Sequence, residues 1–225
     1  MGNIIKKILY VDSNGVEKQI RPAWAPWANT IAYYPLQSDT NDYSWNSRNL
    51  TNSWVTFSDG VWIFNWSARA YISWNTQLNN WYTISFWEQS TVNNTSFMVD
   101  MRNNNQYWQW ICALTEGWYF KIRQQITASS ETEYKTLRNG NWNNWIITWD
   151  GTSNWKISVN WQLAHSVTIA KSIDTSNTTL SLWSRYSWLT NPFSWSLSEV
   201  IIENTPRTET EKSDYYNLTK SKYWL

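Results

Sequence analysis

Along most of the chain, apolar and polar residues alternate with a period of two, in short runs separated by Asn, Ser, Thr, Asp and Gly. Such alternation turns one face of a strand toward a core and the other toward solvent. Residues 4–11 and 16–21 flank Asn14-Gly15, a pair suited to a tight hairpin turn. The segment RPAWAPWAN, with Pro22 and Pro26, reads as an extended linker, because a residue before proline is kept out of the helical region. The pattern predicts further strands over 30–36, 53–57, 69–73, 81–89, 96–101, 106–114, 118–126, 133–138, 142–149, 155–160, 162–170, 178–184 and 194–203. Many short strands at this spacing predict an all-β, two-sheet antiparallel jelly-roll sandwich. Ile84, Phe86, Ile111, Ile147, Trp149, Leu182 and Val200 occupy the inward phase and are expected in its core.

One helix is expected. Pro206 ends the last strand, Thr208 and Glu211 have capping-box spacing, and residues 209–220 continue without Gly or Pro. The organisation predicted is a hairpin and linker over 1–28, then one sandwich domain over 29–225, closed by a short C-terminal helix.

Composition narrows the classes. A chain of 225 residues is long enough to bury a core without disulfides, and its one cysteine, Cys112, excludes an intramolecular disulfide framework. A net charge of +1 offers no footprint for nucleic acid or an anionic membrane. The apolar stretch near the N-terminus, ILYV, is too short for a signal-peptide core, and no run approaches the length of a membrane span. The expectation is a soluble chain without an ordinary export signal. The anomaly is 21 Trp beside only 6 Gly. At about 7% usage a chain of this length would carry roughly 16 Gly, and turn-rich β proteins need glycine for positive φ.

A set of ordered motifs carries a family resemblance over roughly 29–225. TIAYYPL is followed by Asp42-Tyr43-Ser44-Trp45-Asn46, then Phe64-Asn65-Trp66-Ser67, then Thr83-Ile84-Ser85-Phe86-Trp87. Trp142 precedes Thr148-Trp149-Asp150-Gly151, and Val159-Asn160-Trp161 ends a strand. Leu180-Ser181-Leu182-Trp183-Ser184 and Phe193-Ser194-Trp195-Ser196-Leu197-Ser198-Glu199-Val200 close the series. In order and spacing these resemble the laminin G-like branch of the concanavalin A-like lectin/glucanase superfamily. The departure is systematic: Trp45, Trp66, Trp161, Trp183 and Trp195 stand where that family has glycine, and Trp27, Trp54, Trp118, Trp155, Trp188 and Trp224 fit the same substitution. Trp87, Trp142 and Trp149 stand where it has an aromatic residue and are expected to be well buried. A gene that reads UGA as glycine, translated as though UGA meant tryptophan, would produce this pattern. A Trp-rich sugar-stacking surface is the other explanation.

The resemblance implies a binding module more than an enzyme. Glucanases of that superfamily carry E-x-D-x-x-E on one strand, which sets two carboxylates on one face at catalytic separation. This chain lacks that segment: Glu88 stands alone in Phe86-Trp87-Glu88-Gln89, and Glu131 and Glu133 fall in a polar stretch expected to be an exposed loop. All three are expected to be solvated. His165 is the only histidine and reads as a strand residue, and Cys112 reads as a small core residue, so no zinc site of the usual kind is available. No cofactor is required. Calcium could be held by Asp39, Asp42 and Asn46 in the loop SDTNDYSWN, or those side chains could satisfy their own backbone as Asx turns. Aromatic faces beside amides suit sugars, and Tyr107, Trp108 and Trp110 with Asn104 are the best local cluster.

The function expected is a non-catalytic lectin-like module that binds carbohydrate or cell-surface glycan. Its first setting is a phage virion or tail, where it would also meet other virion proteins. A bacterial cell-surface adhesin is the alternative, and a glycoside hydrolase a third reading.

Overall fold

The computed structural model describes residues 8–11, 17–21, 29–36, 39–44, 46–58, 61–63, 69–74, 81–89, 96–103, 110–127, 130–137, 140–152, 154–168, 178–182 and 196–223. Strands dominate: β1 (Ile8–Val11), β2 (Glu17–Arg21), β3 (Thr30–Tyr34), β4 (Thr51–Ser53), β5 (Thr56–Ser58), β6 (Val61–Ile63), β7 (Arg69–Trp74) and β8 (Tyr82–Gln89). They continue with β9 (Ser96–Asn103), β10 (Trp110–Glu116), β11 (Tyr119–Thr127), β12 (Ser130–Leu137), β13 (Trp142–Trp149), β14 (Asn154–Val159), β15 (Gln162–Thr168), β16 (Thr178–Leu182) and β17 (Ser196–Glu203). The helix α1 (Glu209–Thr219) follows, ending in a 3-10 turn over Lys220–Tyr223.

β1 and β2 form the expected hairpin pair as a two-stranded sheet. The other strands build two antiparallel sheets. One is seven-stranded in the order β12-β11-β10-β9-β16-β7-β4; the other is eight-stranded, β15-β14-β13-β8-β17-β6-β5, with β3 also pairing β17. The all-β sandwich with a short C-terminal helix is therefore observed. All seven residues expected in the core lie in the main apolar cluster. Phe120 of β11 and Trp145 of β13 stack with centroids 3.8 Å apart, joining the sheets face to face.

The helix begins where the sequence sets it. The Thr208 hydroxyl accepts from the Glu211 backbone N–H while the Glu211 carboxylate accepts from the Thr208 backbone N–H. Tyr215 and Tyr223 then pack with Tyr33, Trp87, Ile146 and Ile201 on the outer face of the eight-stranded sheet. The Trp87 indole stacks 4.2 Å from Tyr223 and donates to Thr219 Oγ1 at 3.2 Å. One outer face of the sandwich is thus covered by the chain itself.

Three local expectations need correction. The strand predicted over 53–57 is broken into β4 and β5, because Trp54 turns the chain with a φ of 66° and the Val55 N–H donates to Asn52 Oδ1. Glu131 and Glu133 are not in a loop: both sit on β12, held there by cross-strand cations. Glu88 is not solvated. It is 2% exposed, at the end of the inward row Tyr82, Ile84, Phe86, with the Trp145 indole donating to Oε1 at 3.1 Å.

Of the tryptophans read against glycine, Trp45, Trp66, Trp183, Trp195, Trp27, Trp188 and Trp224 lie outside the described residues. Trp54 and Trp161 both have positive φ, 66° and 67°, and are 77% and 38% exposed. Asn160 at 50° and Trp161 make the two-residue β14–β15 turn, the conformation that Asn-Gly supplies without strain. Trp118 is exposed and follows Gly117, itself at 58°, in the β10–β11 turn. Trp155 behaves otherwise. It is fully buried among core residues with its ring edge-on to His165, so it is an ordinary core aromatic. Trp87 and Trp149 are buried as expected, whereas Trp142 is only partly buried, against the cluster that holds Tyr223.

Candidate functional site

With the helix over one sheet, the outer face of the seven-stranded sheet is the other broad surface. Side-chain alternation places Ile111 and Ala113 in the core and turns Trp110, Cys112 and Leu114 outward as a separate small cluster. Register aligns Asp100 and Arg123 with Cys112, and Arg102 and Gln125 with Trp110. The Arg102 guanidinium lies 5.5 Å from the Trp110 ring centroid and 3.6 Å from the Asp100 carboxylate. Burial pushes the Cys112 thiol well above its ordinary value, so it is no nucleophile at neutral pH.

Toward the sheet edge the same face becomes a ladder of opposite charges. Lys121 and Arg123 alternate on β11; Glu131 and Glu133 alternate on β12; Glu116 ends β10. Lys121 Nζ lies 2.8 Å from Glu116 and 3.5 Å from Glu133. Arg123 reaches Glu116 at 3.0 Å and Glu131 at 3.3 Å, and bonds Glu133 directly. The hydrogen bond from Lys121 draws the Glu116 carboxyl below its ordinary value. Its ionic contribution is therefore present at neutral pH and lost as pH falls through that lowered value. Burial pulls the Arg123 guanidinium down, but the hydrogen bond to Glu133 and the surrounding carboxylates raise it overall. At the end of the ladder Tyr119 faces Leu137, both exposed, with Lys135 Nζ 5.4 Å from the Tyr119 ring centroid. Exposed Trp118 adjoins them in the turn.

Of the sugar-binding residues expected, Trp110 lies on this face. Asn104, Tyr107 and Trp108 belong to the segment joining β9 to β10, outside the described residues. Glu116, Tyr119, Lys121 and Arg123 were not singled out from the sequence. The signal that could have found them is K-x-R on one strand facing E-x-E on the next.

Among the described residues of the loop, Asp39, Asp42 and Asn46 present no open ligand set for calcium. Asp42 Oδ1 accepts from the Tyr33 and Ser44 backbone N–H groups, and Oδ2 from Ser44 Oγ and the Arg48 N–H. Asp39 accepts from the Asn41 N–H and the Tyr43 hydroxyl, and Asn46 turns its NH2 toward the Thr30 and Ile31 carbonyls. These groups serve the loop as Asx turns and do not fit a cation site. His165 packs 5.3 Å from Tyr134, bridging the edge strands β15 and β12, a structural position.

The chain matches no protein-family model and no curated protein sequence. Its likenesses are to solved structures. Domain 4 of AbnA, a GH43 extracellular arabinanase from Geobacillus stearothermophilus in complex with arabinotriose, is 18% identical, with a TM-score of 0.70 over 82% of this chain and 97% of that one. The chain shares the β-sandwich fold of that domain. The binding domain of Paraclostridial Mosquitocidal Protein 1 is 17% identical with a TM-score of 0.70. The binding domain of Botulinum Neurotoxin DC in complex with SialylT is 12% identical with a TM-score of 0.67. The chain spans about half of each of these two binding domains, 52% and 51%, while they cover 85% of it. Among the described residues no helix is long and apolar enough to cross a membrane.

Proposed function

We propose that this protein is a non-catalytic glycan-binding module whose working surface is the outer face of the seven-stranded sheet. The observation that carries the reading is the asymmetry of the sandwich: α1 covers the outer face of one sheet, while the β10–β12 edge of the other presents exposed Trp118 and Tyr119 beside a fixed polar ladder, with Trp110 itself buried. Aromatic faces pack on sugar C–H groups and fixed polar groups meet hydroxyls. The neighbours named with arabinotriose and SialylT support it. The acids argue against hydrolysis. Glu131 and Glu133 share one arginine on a single strand, and Glu88 is enclosed between the sheets. A glycan array with a hydrolysis assay on every hit tests this: binding without turnover is expected. Turnover lost in Glu131→Gln or Glu133→Gln would make the protein a glycosidase.

The setting we propose is a phage virion or tail, with the β1–β2 hairpin as attachment segment; a bacterial cell-surface adhesin is the second setting. Neighbouring tail or capsid genes would favour the first.

The recoding of UGA belongs to the same proposal. Trp161 and Trp54 at positive φ support it, since a bulky residue in the left-handed region costs roughly 1–2 kcal/mol. Trp161→Gly is expected to raise stability by about 1–2 kcal/mol in urea titrations. An unchanged or lowered midpoint, or UGG at these codons, would remove the idea.

A further inference from the structure

We infer that Lys135, Tyr119 and Leu137 form a subsite for the acidic group of a sugar, a carboxylate or a sulfate ester. The inference rests on the glycan-binding reading and deepens it. Lys121, Arg123 and Lys135 stand against Glu116, Glu131 and Glu133, so the ladder as a whole is balanced in charge. The pairing is uneven. Lys121 lies against Glu116 and Glu133, and Arg123 lies against all three acids. Two cations thus engage every carboxylate of the set. Among the described residues Lys135 has no carboxylate partner; its ammonium lies 5.4 Å from the Tyr119 ring centroid. A cation held against a ring keeps its N–H donors open to a ligand.

The register explains the division. Lys121 stands directly across from Lys135, where two ammonium groups repel. Lys121 is nearly buried and turned to Glu116 and Glu133, which leaves Lys135 exposed beside Tyr119. Alternation puts Lys135 and Leu137 on one face of β12, and Tyr119 is paired with Leu137 across from it. An unpaired cation therefore stands beside two exposed side chains with apolar surface. That combination suits an acidic sugar. Its anionic group takes charge-assisted hydrogen bonds from Lys135, while its C–H groups cover Leu137 and the open part of Tyr119. Glu133, two residues away on the same face, is bonded by Lys121 and Arg123, so its charge is offset where the anion would sit. The three residues include no tryptophan, so the subsite stands whether position 118 is tryptophan or glycine.

The test is calorimetry on matched probes: lactose beside sialyllactose and sulfated lactose, and an oligogalacturonide beside its methyl ester. At low salt at least one acidic probe should bind about fivefold or more tightly than its neutral counterpart, the gap closing as salt screens it. Lys135→Gln should bring the acidic probe down to its neutral counterpart, Lys135→Arg should keep the preference, and Tyr119→Leu should weaken the acidic probe several-fold. Lys220→Gln removes a like charge from the helix on the opposite face, where Lys220 lies over Tyr216, and should leave the ratio unchanged. Thermal melts confirm that the variants fold. Absence of any acidic preference overturns the inference, as does a preference that survives Lys135→Gln or falls equally in Lys220→Gln. Inorganic sulfate competing as well as sulfated lactose would also overturn it, since a bare cation would then suffice. Neutral glycans still bound in those cases leave the glycan-binding reading standing. A glycan array without a hit ends both.

Discussion

Trp145→Ala should remove about 3–5 kcal/mol of stability, a large share of the roughly 5–15 kcal/mol that holds a domain together. Trp145 is buried, stacks on Phe120 at 3.8 Å across the two sheets, and touches Tyr134 with centroids 6.5 Å apart. No neighbour on a paired strand can move in to refill that volume, because the ladders fix each backbone. The indole also donates to Glu88 inside the sandwich, and losing that hydrogen bond adds about 0.5–1.5 kcal/mol. Trp145→Phe separates the contributions: it keeps a stacking ring and loses only the donor, so its loss should be the smaller. Guanidinium titrations measure both. A loss below about 1 kcal/mol for the alanine variant would mean that this contact does not join the sheets.

Arg207→Ala should cost about 3–5 kcal/mol at neutral pH, by a different route. Arg207 Nε lies 2.6 Å from Glu203, both side chains are buried, and the guanidinium covers the Tyr215 ring at 4.7 Å. The Arg207 N–H donates to Thr83 Oγ1, which donates onward to the Thr205 carbonyl, so this residue ties the start of α1 to β8. Removing it leaves a buried carboxylate without its cation. Burial raises the Glu203 carboxyl above its ordinary value of 4.5, against the pull of Arg207. A carboxyl raised on folding takes up a proton as the chain folds. Its contribution is complete below the unfolded value and is lost as pH rises through the folded one. Without Arg207 the carboxyl rises further, so the deficit of the variant should be small near pH 4 and grow toward neutrality. Denaturation across that range checks the sign: a deficit that grows on acidification would refute the account. Glu203→Leu with Arg207→Met should recover most of the loss, since an apolar pair leaves no charge to solvate.

The sequence alone determined whatever depends on near neighbours. Period-two alternation identified the strands and the inward phase of Ile84, Phe86, Ile111 and Val200, because the pleat sends successive side chains to opposite faces. Thr208 and Glu211 located the helix because a cap is made within one turn. The Asn160 turn was legible for the same reason. The tertiary structure decided what depends on strand order. Glu131 and Glu133 read as loop residues until β12 paired with β11 and set Arg123 beside them, and Glu88 read as exposed until the two sheets closed over it. β16 lies between β9 and β7, and β17 between β8 and β6, pairings that join residues far apart in the chain. Which carboxylate meets which cation, and which outer face α1 covers, follow from those long-range pairings, and local alternation is the same for every possible strand order.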